Sequence, residues 1–186
     1  MGSLLDKYLF QAMDAYPYDL EETIEALNYA LSYDENNSIA LCLMGQIHAE
    51  KLKNYETAKQ YYQNALANDI HTLEVYPHYI NVLLWNEDYD EAEKLIDFAL
   101  TVKGTDKAVL YLKKGILFEQ KKCYKEALKF LKEAKIYAYN NHFIDDIKEE
   151  QKRIKNKIPK DKKKSKEKTS ASEVSNKSIK GYIFWK

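Results

Sequence analysis

The chain has 186 residues, 45% of them hydrophobic and 31% charged, which suits one packed domain with or without a tail and excludes wholesale disorder. Its formal net charge of zero conceals an asymmetry, since residues 1–106 carry 19 acidic against 6 basic side chains and residues 107–186 carry 10 against 23. Such a separation concerns contacts: between the two halves, between copies, or with different ligands.

The opening stretch MGSLLDKYLF lacks a basic region, an apolar core and a small-residue cleavage site, so no secretory signal is expected. Asp6 stands where a myristoylation signal needs Ser or Thr. No run approaches the roughly 18 apolar residues of a membrane-spanning helix, and a cytoplasmic location is the expectation. SLLDKYLFQAMDA then reads as a first helix, and a second follows from about Leu20. The pair recurs as SIALCLMGQIHAE before Tyr55, YPHYINVLLWN before Tyr89, and KAVLYLKKGILFEQ before Tyr124. Short polar breaks separate the members of each pair, and longer ones separate the pairs. Ser38, Thr72 and Thr105 or Asp106 are candidate N-caps, and Gly104 suits a left-handed helix stop. Pro77 implies a late helix start or a bend in the third pair.

The second helices share a register of small residues. Thr23, Ala58, Ala92 and Ala127 correspond, as do Ala30, Ala65, Ala99 and Ala134, at steps of 35, 34 and 35 in both series. Two small-residue positions advancing together at that period mark a helical solenoid. Helices joined by so short a turn lie antiparallel, and their axes approach to about 8 Å only across small contact residues. Gly45 and Gly115 fit the same demand, because a glycine inside a helix costs about 1 kcal/mol relative to alanine unless close approach compensates.

These positions resemble the tetratricopeptide repeat family over about residues 4–139. Its 34-residue period carries small residues where this chain has Gly45, Ala58 and Ala65, then Ile80, Ala92 and Ala99, then Gly115, Ala127 and Ala134. Tyr55, Tyr89 and Tyr124 match the aromatic that opens the second helix. Departures are Leu41, Tyr76 and Tyr111 for the family's tryptophan, Ile70 for its closing proline, Ile80 for its glycine, and Leu20 and Thr23 in the first unit. The resemblance implies an all-α, right-handed helical-hairpin solenoid of about four repeats over residues 1–141, with units of about 4–37, 38–72, 73–107 and 108–141.

Beyond it, Ile144, Ile147, Gln151, Ile154 and Ile158 form a narrow stripe amid charges, which predicts a capping helix over 142–158 in preference to a coiled-coil seam. Residues 159–186 are rich in Lys and Ser, which predicts a flexible basic tail. The tail carries the aromatic motif GYIFWK, whose Tyr182, Ile183, Phe184 and Trp185 are expected to dock on a surface.

No phosphate loop, nucleophile elbow or metal-ligand spacing is present, so neither enzymatic activity nor a cofactor or metal is expected. Cys42 and Cys123 fall in apolar helical text and read as structural thiols. The resemblance implies a protein-interaction scaffold or adaptor that binds a peptide or protein segment in a concave groove lined by the first helices. The implied groove residues are Tyr8, Gln46, His78, Asn81, Trp85, Ile116 and Glu119, with Trp85 and Asn81 as the principal contacts. A branch of the family grips terminal carboxylates with Lys, Asn and Arg; only Asn81 matches it, so that ligand is not expected. The alternatives are binding to an anionic membrane surface or nucleic acid through the lysines of 148–168, and self-association through the aromatic tail motif. The basic run lacks interleaved aromatics, which argues against nucleic acid.

Overall fold

The computed structural model describes residues 4–158. Four helical hairpins follow one another: α1 (Leu4–Ala15) with α2 (Leu20–Tyr33), α3 (Ser38–Gln46) with α4 (Tyr55–Asn68), α5 (Val75–Trp85) with α6 (Tyr89–Ala99), and α7 (Lys107–Gln120) with α8 (Tyr124–Tyr137). A single helix, α9 (Asn141–Lys157), closes the stack against α8. No strand occurs among the described residues. Each hairpin packs on the next, giving the all-α solenoid that the small-residue register predicts.

The register has a direct steric basis. Ala58, Ala92 and Ala127 are each 0% exposed, as are Ala30, Ala65, Ala99 and Ala134 one turn-pair further on. A Cβ added at Gly45 would lie 2.7 Å from the Tyr62 ring, and one at Gly115 would lie 2.8 Å from Leu131. Both glycines therefore mark where a first helix presses on its second. In the third hairpin Ile80 fills that place and is fully buried. There the shorter α5 and α6 approach each other less extensively than α7 and α8 do, as a β-branched residue at the contact requires. The core runs without a break from α3 to α7, with Tyr62, Tyr76, Leu83, Ile96 and Leu117 among its largest buried side chains.

One repeat carries an extra residue. Ile80 to Ala92 and Gly115 to Ala127 are both 12 positions apart, whereas Gly45 to Ala58 is 13. The structure absorbs the surplus as a π-helical turn over Ile47–Lys51 at the end of α3, where the Leu52 N–H reaches back to the Ile47 carbonyl at 3.2 Å. The helix thus keeps both ends in register with its neighbours.

The turns inside hairpins share one design. The Asp88 N–H donates to the Leu83 carbonyl and the Cys123 N–H to the Phe118 carbonyl, each at 2.8 Å, a Schellman-type closure of the first helix. In the second hairpin the matching bond runs from Asn54 to His48, one residue longer because of the π turn. The residue before each donor adopts a left-handed conformation: Lys53 at φ 53°, Glu87 at 61° and Lys122 at 61°. A side chain there costs about 1 kcal/mol. Lys122→Gly is therefore expected to raise the thermal midpoint by about 2–4 °C, read by circular dichroism melting.

Gly104 is left-handed, at φ 97°, but it does not stop α6, which ends at Ala99 with Leu100 as its right-handed C-cap; the glycine turns the loop that follows. The caps need correction. Asn37, not Ser38, caps α3 by accepting from the Ala40 N–H, and the Ser38 hydroxyl instead donates to the Ala65 carbonyl at 2.9 Å. Asp106 caps α7, whereas the Thr105 hydroxyl turns back to the Ala99 carbonyl. Thr72 caps nothing: α5 begins at Val75, which leaves Pro77 in its first turn, where a missing N–H costs no bond.

Buried Ile147 and Ile154 of α9 cover α8, with Ile144, Gln151 and Ile158 half-buried beside them. A polar lock reinforces the lid. Glu119 of α7 is buried, and its carboxylate accepts from both Arg153 guanidinium nitrogens at 2.5 Å and from Lys157 Nζ at 2.8 Å. Burial alone would raise the Glu119 pKa, but these hydrogen bonds outweigh it and hold the carboxyl below its ordinary value.

Candidate functional site

First helices lie side by side along one face of the stack and enclose a cleft. Met13 and Tyr16 of the first hairpin, Ile39, Cys42, Leu43 and Gln46 of α3, and Thr72 and Glu74 before α5 line a hollow of about 320 Å³. Its floor is apolar, and two of its walls are exposed hydrophobics, Met13 at 50% and Ile39 at 49%. Cys42 is buried in the floor, where burial pushes its thiol up to about 12, so it stays a neutral, unreactive hydrophobe. Beyond Ile39, Thr72 and Glu74 the cleft opens into a second hollow of about 390 Å³, bordered by Asp34, Asp69 and Glu74. The site is thus an apolar slot with an acidic mouth.

The same face becomes polar where α5 meets α7. Lys113 Nζ donates to Asn81 Oδ1 at 2.6 Å, and among the described residues no carboxylate offsets the burial of its charge. Burial lowers its pKa to about 8, so its charge is held at a cost the fold does not offset. His78 is half-buried nearby, and burial lowers its pKa as well. His48 in the π turn stacks on Tyr61 at 5.2 Å, its Nδ1 is buried without a hydrogen-bond partner, and burial again depresses its pKa.

Both imidazoles are therefore neutral in the fold and gain protons more readily in the unfolded chain, whose histidines titrate near 6.5. Their contribution to stability is complete above about pH 6.5 and declines as the pH falls toward the lower folded values. Thermal melts between pH 7 and 5 should show this slope, and a His48→Phe, His78→Leu double variant should flatten it.

The expected groove residues separate into several groups. Gln46 lines the cleft, its amide 3.9 Å from the Cys42 sulfur. Asn81 and His78 stand on the polar stretch, and Ile116 is half-buried against the central core. Tyr8 stacks on Tyr29 at 5.0 Å and Tyr33 at 6.1 Å. This packing within the hairpin parallels Tyr76 on Phe98 and Tyr111 on Tyr137, so Tyr8 belongs to the α1–α2 contact. Glu119 belongs to the α9 lock and is not open to a ligand. Trp85 is 47% exposed with its ring tilted against Tyr55 at 6.0 Å, and it stands at the end of α5, outside the cleft lining. Tyr182, Ile183, Phe184 and Trp185 lie outside the described residues. Cys123, read from the sequence as a structural thiol in apolar helical text, is exposed in the α7–α8 turn.

Met13, Ile39 and Lys113 are among the site residues that sequence reasoning missed, with Tyr16, Leu43, Thr72 and Glu74 of the cleft lining. Apolar residues at the starts and ends of first helices were the available signal for the first two. Nothing local tells Lys113, which meets Asn81, from Lys114 beside it, which pairs with Asp97.

Repeat register and hairpin stacking together define a solenoid of tetratricopeptide type. Solved structures share this fold. PilF of Pseudomonas aeruginosa aligns over 81% of this chain and 70% of its own, at TM-score 0.68 and 17% identity. MamA from Desulfovibrio magneticus RS-1, from residue 41 onward, aligns over 84% of this chain and 92% of its own, at TM-score 0.61 and 18% identity. A double mutant of MamA RS-1 aligns at TM-score 0.61 and 17% identity, over 84% and 91% of the two chains. No protein-family model matches the chain, and no curated protein matches it. At these identities the likeness is one of fold. Among the described residues no helix is long and apolar enough to cross a membrane.

Proposed function

We propose that the protein is a noncatalytic interaction scaffold, an adaptor that holds a peptide or protein segment along the face formed by its first helices. The observation that carries this reading is the apolar cleft between Met13, Ile39 and Leu43, with an acidic mouth on one side and the Lys113–Asn81 pair on the same face of the stack. Apolar anchors set beside hydrogen-bonding groups are what a peptide groove requires. The slot accepts an apolar side chain, the carboxylates favour a basic flank, and the Lys113 ammonium finds an acceptor in a bound backbone carbonyl. Gln46, His78, Asn81 and Ile116 remain the proposed contacts, joined by Met13, Ile39 and Lys113. Trp85 is proposed as an outlying contact.

Ile39→Glu tests the reading. The residue is half exposed in the first turn of α3, where a carboxylate suits the helix dipole and folding is retained. Affinity purification with wild type, Ile39→Glu and Trp85→Ala, read by mass spectrometry, should show a partner captured by wild type. Ile39→Glu should weaken that capture about tenfold or more, the worth of roughly one buried aliphatic side chain. Equal capture by wild type and Ile39→Glu would refute the groove.

The alternative of an anionic surface binder draws on residues 148–168. In the part described, Arg153 and Lys157 are engaged by Glu119 and Lys148 by Asp145, so three of its cations are already paired within the fold.

A further inference from the structure

The cleft has an apolar floor, exposed apolar walls at Met13 and Ile39, and the carboxylates of Asp34, Asp69 and Glu74 at its mouth. One segment of the chain has the complementary chemistry. Residues 180–186 read KGYIFWK, four consecutive large apolar side chains with a lysine on either side. Residues 159–186 as a whole carry 9 lysines against 3 acidic residues, while residues 1–106 carry 19 acidic against 6 basic ones. We infer that Tyr182–Trp185 occupy the cleft between α1, α3 and the turn before α5 of the same molecule, with Lys180 and Lys186 at the acidic mouth, so that a partner must displace this segment to bind. The inference rests on the reading of the cleft as a peptide groove.

Reach and size permit it. From Ile158 to Tyr182 there are 24 residues, which span up to about 80 Å when extended. Six helix-to-helix steps separate α9 from α3, and at 8–10 Å per packed pair they amount to about 60 Å at most. A hollow of about 320 Å³ is at the small end of ligand pockets and suits one or two aromatic side chains. A tethered ligand whose linker spans the gap acts at an effective concentration in the millimolar range, so even weak intrinsic affinity keeps the cleft filled. Lysines near the mouth add attraction that salt screens.

The test uses the full chain. A labelled synthetic peptide of residues 178–186 is titrated into wild type and into a Phe184→Ser, Trp185→Ser variant, with circular dichroism confirming that both fold. The expected result is binding to the variant about tenfold or more tighter than to wild type, because the variant's cleft is empty. Adding Ile39→Glu to the variant should abolish that binding. In a Trp85→Phe chain, Trp185 becomes the one tryptophan, and its emission should lie blue of free indole and shift red on Ile39→Glu. Equal peptide affinity for wild type and variant, no binding to either, or insensitivity to Ile39→Glu would overturn the inference. So would a mass that rises with concentration and falls when Phe184 and Trp185 are replaced, since the occupant would then be a neighbouring copy. If partner capture still depends on Ile39 while Trp185 stays solvated, only this inference fails and the groove reading survives.

Discussion

Ala92→Leu is expected to destabilise the protein by about 3 kcal/mol, a fall of about 6–12 °C in thermal midpoint for a domain of this size. Ala92 is fully buried where α6 meets α5, in the hairpin that already carries Ile80 at the contact. Ile80 has taken the space that glycine leaves in the second and fourth hairpins, so no slack remains for three more carbons. Either the two helices separate and lose their interdigitation, or the introduced leucine adopts a strained rotamer. Ala67→Leu is the control: Ala67 is exposed on α4, and leucine there is nearly as good a helix former as alanine. Melting both variants beside wild type measures the difference, and equal midpoints would show that bulk at the aligned alanines is harmless.

Ile147→Ala is the second large effect, at about 3 kcal/mol from lost transfer energy and the cavity left behind. The side chain is fully buried on the face of α9 that meets α8, together with Ile154, in the small cluster that seals α8. Its consequence is regional. A solenoid couples each unit mainly to its neighbours, so hydrogen exchange should accelerate in α9 and α8 while α1 to α4 keep their protection. Glu119 adds to the outcome, because freeing α9 removes Arg153 and Lys157 and leaves a buried carboxylate without partners. Uniform acceleration along the whole chain would contradict a modular stack.

Much of this architecture was legible in the sequence because its cause is local and repeated. The closest helix approaches, near 8 Å, need small contact residues, and the second helices of four hairpins repeat that demand at nearly constant spacing. The cap was legible for a similar reason, since a narrow isoleucine stripe amid charges buries one face only. The π turn left only a faint mark, 13 positions between Gly45 and Ala58 where its siblings have 12, and alignment on the alanines conceals it. The left-handed turns at Lys53, Glu87 and Lys122 left none, because glycine is preferred there but not obligatory.

The site was less legible than the fold. Which side of a first helix faces the cleft depends on how each hairpin is rotated on the next, and that is decided by packing across some 34 residues. Position in the repeat places Tyr8 in the groove, yet it packs on its own hairpin, and Glu119 meets cations from a helix more than 30 residues away. Hydrogen-bond partners such as Lys113 for Asn81 arise only when two first helices lie side by side.

The most direct test of the nested-hairpin account is thiol labelling. In a Cys123→Ser background, which removes the exposed native thiol, Ala58→Cys, Ala92→Cys and Ala127→Cys are compared with Ala67→Cys under native conditions. The account predicts that the first three react orders of magnitude more slowly than the thiol placed at position 67, because each lies sealed between two helices. Labelling of all four at the rate of an open surface thiol would contradict it.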